Sequence, residues 1–166
     1  MTVKEMLESM DYVPAPESRA NADAWLNKHG RSFGFFIDGA WVKAERAMFD
    51  TLAPASGEVL ASISSATKAD VDTAVAAARK AQPKWAKLGG HGRARFLYAL
   101  ARLVQKHARV LSVLEALDNG KPIRETRDID IPLVARHFYH HAGWAQLIDE
   151  SFPDHVPHGV AGQVIP

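Results

Sequence analysis

Apolar and polar residues follow two different periods along the chain, and the change falls near Thr67. Before it, short apolar runs are separated by turn residues. The stretch Phe33-Gly34-Phe35-Phe36-Ile37, followed by Asp38-Gly39 and then Ala40-Trp41-Val42, predicts a β-hairpin, because Asp-Gly accepts the positive φ angles of a tight two-residue turn. A second strand pair is expected over residues 47–51 and 59–63, joined by Pro54-Ala55-Ser56-Gly57. After Thr67 the spacing becomes helical. Thr67-Lys68-Ala69-Asp70 resembles a capping box with Asp in place of Glu, and Val71, Val75, Ala78, Gln82 and Trp85 fall on one face of a helix that ends near Leu88. A second helix is expected over residues 93–107, burying Phe96, Leu97, Leu100, Leu103 and Val104. A third, over 108–119, buries Leu111, Leu114 and Leu117 and is closed by Gly120 in a left-handed cap. The fourth runs over 123–148 and contains Pro132, which removes a helical donor and predicts a kink, or a split at Ile131.

The two ends read differently. Residues 3–10 and 18–28 predict short helices separated by Pro14-Ala15-Pro16, with Ser18 as N-cap and Trp25-Leu26 as apolar anchor. This segment is expected to form an extension or strap outside the core. The final run Gly159-Val160-Ala161-Gly162-Gln163-Val164-Ile165-Pro166 predicts a buried strand that delivers backbone to the mouth of a cofactor pocket. Such a strand ending in open solvent leaves its ladder groups unpaired, so the chain reads as the first part of something larger.

Composition narrows the functional classes. At 166 residues and 47% hydrophobic content the chain is long enough for one domain with a core. Its 20 Lys+Arg balance 19 Asp+Glu, with the signs interleaved, which argues against nucleic-acid partners and anionic membranes. Cysteine is absent, which excludes disulfides, thiolate metal sites and a cysteine nucleophile within these residues. The N-terminus has no apolar core of signal-peptide length, and the expected location is cytoplasmic.

Several groups of residues have spacings or compositions that suggest chemistry. His137, His140 and His141 stand at i, i+3 and i+4, which is metal-ligand spacing on a helix, but packing and helix-end polarity explain them without a metal. Gly89-Gly90-His91-Gly92-Arg93 precedes a helix, yet an anion-binding glycine loop normally follows a strand; a helix–helix turn is the simpler reading. Asp128 and Asp130, two apart, fall on different helix faces and do not make an acid–base pair. Arg93, Arg95, Arg102 and Arg109 read as a solvated face, and His155 and His158 as solvated loop residues.

The order of these segments resembles the N-terminal region of NAD(P)-dependent aldehyde dehydrogenases. The resemblance covers about residues 34–166 and rests on Phe36-Ile37-Asp38-Gly39-Ala40-Trp41-Val42, Pro54-Ala55-Ser56-Gly57-Glu58-Val59, the helix from Asp70 to Trp85, Leu117-Asp118-Asn119-Gly120-Lys121-Pro122, Ala142-Gly143-Trp144 and the terminal run to Pro166. The preceding segment, Leu7-Glu8-Ser9-Met10-Asp11-Tyr12-Val13-Pro14-Ala15-Pro16-Glu17-Ser18 with Ala24-Trp25-Leu26, resembles the sixteenth family of that superfamily, whose members are longer.

The resemblance implies an α/β fold: the N-terminal part of an aldehyde dehydrogenase, with β-hairpins, several amphipathic helices and the first strand of a Rossmann-like cofactor-binding domain. Residues 1–32 are expected as a helical extension and 33–166 as an incomplete portion of that domain. The implied activity is oxidation of an aldehyde to a carboxylic acid with NAD or NADP, through a cysteine thiohemiacetal and thioester. The implied partners are the small-molecule aldehyde and further copies of the chain. No catalytic group of the family matches a residue here, and the oxyanion-stabilising Asn of the pattern would lie two residues beyond Pro166. Val164, Ile165 and Pro166 match positions lining the cofactor side of the tunnel. Leu133 matches a position at the substrate entrance, and Asp118 one that holds a monovalent cation in some relatives, together with carbonyls near Thr51-Leu52. Only residues 145–158, broken by Pro153 and Pro157, stand where the family carries a longer oligomerisation flap, so a dimer is expected rather than the usual tetramer. A non-catalytic scaffold or interaction protein of the same fold is the alternative, since function lies in a site and not in a fold.

Overall fold

The computed structural model describes residues 17–42 and 47–152. The expected helix over 3–10 and the terminal strand Gly159 to Pro166 lie outside the described residues. The order of elements is α1 (Ala20–Lys28), β1 (Ser32–Phe33), β2 (Phe35–Ile37), β3 (Ala40–Val42), β4 (Met48–Leu52), β5 (Val59–Ser64), α2 (Lys68–Lys87), α3 (Gly89–Lys106), α4 (Ala108–Asn119), α5 (Ile123–Glu125), a π turn (Thr126–Asp130) and α6 (Ile131–Ser151). This is the mixed α/β architecture expected.

The hairpin forms at Asp38-Gly39, where φ is 50° and 79°. Two consecutive left-handed residues match the twist of the flanking strands. β2 and β3 pair in the register Phe35↔Val42, Phe36↔Trp41 and Ile37↔Ala40, with the Phe36 and Trp41 rings edge-on at 5.3 Å. Phe33 departs from the expected strand: beyond Gly34 it joins a second sheet of order β1-β5-β4, pairing parallel to Ile63. β4 and β5 are antiparallel as expected, with an irregularity between Thr51 and Leu52. Their turn closes through Gly57 (φ 73°), whose N–H donates to the Ala53 carbonyl at 2.8 Å.

The segment read as a strap belongs in part to the core. Ala22 and Leu26 of α1 are buried, and Arg31 fastens the helix to the sheet. The Arg31 guanidinium donates to the Leu60 carbonyl of β5 (2.9 Å), the Asn27 side chain (2.7 Å) and Asp23 (2.8 Å). Arg19 pairs with Asp23 at 2.8 Å and also reaches Glu58. Arg19, and not Ser18, occupies the N-cap position, although the Ser18 hydroxyl accepts from the Ala20 N–H at 3.2 Å.

The capping box of α2 is formed: Asp70 N–H donates to the Thr67 hydroxyl and Thr67 N–H to the Asp70 carboxylate. The apolar face read along this helix is open, however. No α2 residue is buried, and Val71 and Val75 are about half exposed, at 52% and 46%. The helix also continues through Pro83.

α3 corrects two expectations. It begins at Gly89, so the glycine cluster is its first turn and not a loop. A Cβ at Gly90 would stand 2.0 Å from the Ala145 carbonyl oxygen, so α3 and α6 approach closely there. The seam continues through Ala94 and Ala101 of α3 and Ala135 and Ala142 of α6, all buried, each pair seven residues apart. Small residues therefore occupy the contact, and Phe96, Leu100 and Leu103, which were expected in the core, are turned to the opposite face and exposed. Leu97 and Val104 are half-buried beside the seam.

α4 has the expected bounds, and Gly120 caps it at φ 82°. Ser112 and Val113 are its buried residues, while Leu111, Leu114 and Leu117 are half-buried. The expected fourth helix is divided at Ile131, with Pro132 in the first turn of α6, where a missing N–H costs little. The π turn before it is held by Thr126, fully buried, whose hydroxyl donates to the carbonyls of Ser112 (2.9 Å) and Ile123 (3.1 Å).

Candidate functional site

A groove of about 570 Å³ opens between the sheet and the helices, with Trp25 and Leu26 of α1, Leu60 and Ile63 of β5, Leu114 of α4 and Val134 of α6 among its walls. Glu115, Asp118 and Asp130 join this lining. On α4, Leu111, Glu115 and Asp118 are four and three residues apart, which sets both carboxylates on the helix's apolar side.

Each acid has a distinct environment. Asp118, in the last turn of α4, accepts from the Thr51 hydroxyl at 2.5 Å and so ties the helix to β4. Asp130, the last residue of the π turn, accepts from the Lys121 ammonium at 2.6 Å, an interaction that raises the Lys121 pKa. Glu115 has one carboxyl oxygen, Oε2, that is buried without a hydrogen-bond partner. Burial, followed by the neighbouring Asp130, pushes the Glu115 carboxyl above the ordinary glutamate range.

The structure brings some of the residues singled out in the sequence together and separates others. Asp118 meets Thr51 directly, carboxylate to hydroxyl, whereas the cation expected there would be shared with the carbonyls near Thr51-Leu52. Leu133 lies on α6 and is 41% exposed. Val164, Ile165 and Pro166, His155 and His158, and Pro153 and Pro157 of the segment expected as a reduced flap lie outside the described residues. The rings of His137 and His141 are stacked at 6.4 Å on an exposed face, and among the described residues no group of three or more His, Asp or Glu side chains is placed to hold a metal. Gly90 cannot cradle an anion, since the backbone of α6 closes the space over it. Asp128 pairs with Arg127 at 2.6 Å and Asp130 with Lys121, so the two acids serve different partners. Glu115 was missed in the sequence; its signal was the spacing from Leu111 to Asp118, hidden because a lone Glu on a surface helix is ordinarily solvated.

Chemically, the groove is an apolar trough with three carboxyl groups in its lining. No thiol lines it, since the chain has no cysteine.

Comparison with known proteins places this geometry. Residues 41–166 match the model of the aldehyde dehydrogenase family. The chain is 40% identical over 145 residues to the mitochondrial aldehyde dehydrogenase family 2 member B4 of Arabidopsis thaliana, covering 80% of this chain and 26% of that protein. It is likewise 40% identical over 145 residues to the mitochondrial benzaldehyde dehydrogenase of Antirrhinum majus, with the same coverage of each. The solved NAD+ complex of the Bacillus cereus aldehyde dehydrogenase superposes on 81% of this chain and 27% of its own, with TM-score 0.69 and 36% identity. The chain thus spans between a quarter and a third of the length of the relatives it matches.

Proposed function

Because the chain belongs to the aldehyde dehydrogenase family, we propose that it supplies the N-terminal part of an enzyme that oxidises an aldehyde to a carboxylic acid with NAD or NADP. The observation that carries this reading is the match of the family model over residues 41–166, joined to a backbone likeness at 36% identity over 81% of the chain. In this proposal residues 33–166 contribute to the cofactor-binding domain and residues 1–32 form a helical extension. The protein works in the cytoplasm as a homodimer.

The nucleotide, when bound, accepts a hydride from the oxidised carbon. Val164, Ile165 and Pro166, the residues expected against it, lie outside the described residues. The role proposed for the described residues is therefore to build and stiffen the outer layer of the domain. Arg31 fastens α1 to β5, Thr51 and Asp118 fasten β4 to α4, and the small-residue seam fixes α3 against α6. The thiol that attacks the aldehyde comes from outside these 166 residues, because they contain no cysteine.

The test is a chimera in which this chain replaces the matched N-terminal portion of the Bacillus cereus aldehyde dehydrogenase. Aldehyde-dependent NADH formation, abolished by alkylation of the donor's thiol, is the expected result; the 166 residues alone should give none. A folded chimera, judged by a cooperative melt, that forms no NADH while the donor enzyme is active would overturn the proposal.

A further inference from the structure

A second groove, of about 360 Å³, lies where α1, α3 and α4 meet. Its walls include Trp25 of α1, Leu103 and Val104 of α3, and Val110, Leu111 and Leu114 of α4. Trp25 and Leu103 are 39% and 51% exposed, and the others are half-buried. Apolar surface left in this state favours a cover. The rim is basic. Arg102 and Lys106 share one flank of Leu103 and are exposed, and from Gly89 to Leu114 the chain contains no Asp or Glu.

The chain that precedes Glu17 has the complementary chemistry. Glu17 itself is held beside α4: its side chain, 7% exposed, accepts from the Arg127 guanidinium at 3.0 Å. Glu17 and Ser18 line a depression with Arg109, Val110 and Val113, and Val110 is shared with the groove. Upstream, Val3, Met6, Leu7 and Met10 recur at i, i+3, i+4 and i+7, the apolar stripe of a helix, while Glu5, Glu8 and Asp11 outnumber Lys4. A helix this short is marginal in water and needs tertiary packing to form. Residues 11–16 reach about 20 Å when extended, against about 14 Å for the length of α1, so the tether is long enough.

We propose that residues 3–10, which lie outside the described residues, dock in this groove as a helix, with the Met6, Leu7 and Met10 stripe against Val110, Leu111 and Leu114 and the carboxylates toward Arg102 and Lys106. The N-terminal extension thereby clips onto the corner formed by α3 and α4. The larger groove over the sheet is a poorer host for the same segment, because Glu115, Asp118 and Asp130 in its lining repel an acidic helix. Docking does not depend on the activity proposed above.

The test uses the full chain, which has no cysteine and so accepts a single nitroxide at Glu8→Cys, on the polar side of the stripe. Amides of Leu103 to Leu114 should broaden, and those at the start of α3, about 20 Å away along the same helix, much less. In the chain without a label, amides of residues 3–10 should exchange about tenfold or more slower than in an unstructured peptide, since so short a helix gives little protection undocked. Leu7→Asp should abolish both effects and leave exchange in the middle of α4 unchanged. Broadening that persists when spin-labelled chains are mixed with 15N-labelled, spin-free chains would mean that a second copy fills the groove, and would overturn the proposal. Unprotected amides over 3–10, or a Leu7→Asp chain that keeps both signals, would overturn it too.

Discussion

At the scale of single residues, the tightest constraint is Gly90. A methyl group there would stand 2.0 Å from the Ala145 carbonyl oxygen, well inside contact distance, and the obstacle is backbone. Gly90→Ala must push α3 from α6, an overpacking cost of about 1–3 kcal/mol, which a shift of the urea midpoint without change in slope will report. Asp23 carries a pH dependence of its own. Hydrogen bonds from Arg19, and then from Arg31, hold its carboxyl below the ordinary aspartate range. Its stabilisation is therefore present above the unfolded pKa of about 3.9 and is lost as pH falls through the lower folded value. Asp23→Asn should lower the melting temperature at neutral pH and have little effect at the acid end, checked by melting both proteins across that range. These two residues also differ in legibility. Asp23 and Arg19 are four apart and their pairing follows from helical spacing, whereas nothing near Gly90 in the sequence names Ala145 as its neighbour.

At the scale of elements, α2 depends on its ends. It buries none of its residues, and beside the Trp85–Phe96 ring contact and the Lys80–Asp38 pair its stability leans on its own turns and the Thr67–Asp70 capping box. Thr67→Ala should cost about 1 kcal/mol of local stability. The expected result is faster amide exchange in the first turn of α2, with α4 unaffected. The hairpin, the capping box, the Gly120 cap and the division at Ile131 were all legible because each is decided by neighbouring residues: a positive φ, a side chain reaching three residues along, a proline that cannot donate. The start of α3 was not legible. Glycines have poor intrinsic helix propensity, and only the close approach of α6 makes a glycine-rich first turn the favourable choice.

At the scale of the whole molecule, large apolar side chains remain on the surface. Trp85, Phe96, Leu100 and Leu103 are exposed on α2 and α3, and Trp144 and Leu147 on α6. Patches of this kind promote association. The chain is expected to self-associate with rising concentration, and Phe96→Lys with Leu103→Lys should reduce that association in sedimentation velocity while leaving the melting temperature nearly unchanged. No helix among the described residues is long and apolar enough to cross a membrane, so these faces are not read as spans.

The sequence by itself determined the local conformations and the family pattern, because turns, caps and breaks involve residues only a few positions apart. Tertiary structure alone decided which apolar positions are buried. Leu100 and Ala101 are adjacent and both suit a helix, but the partner helix arrives on the alanine side, and the seam that forms excludes the larger residue. The same holds for Glu115, an ordinary surface acid by sequence, which enters the groove lining beside Asp118 and Asp130 only through tertiary packing.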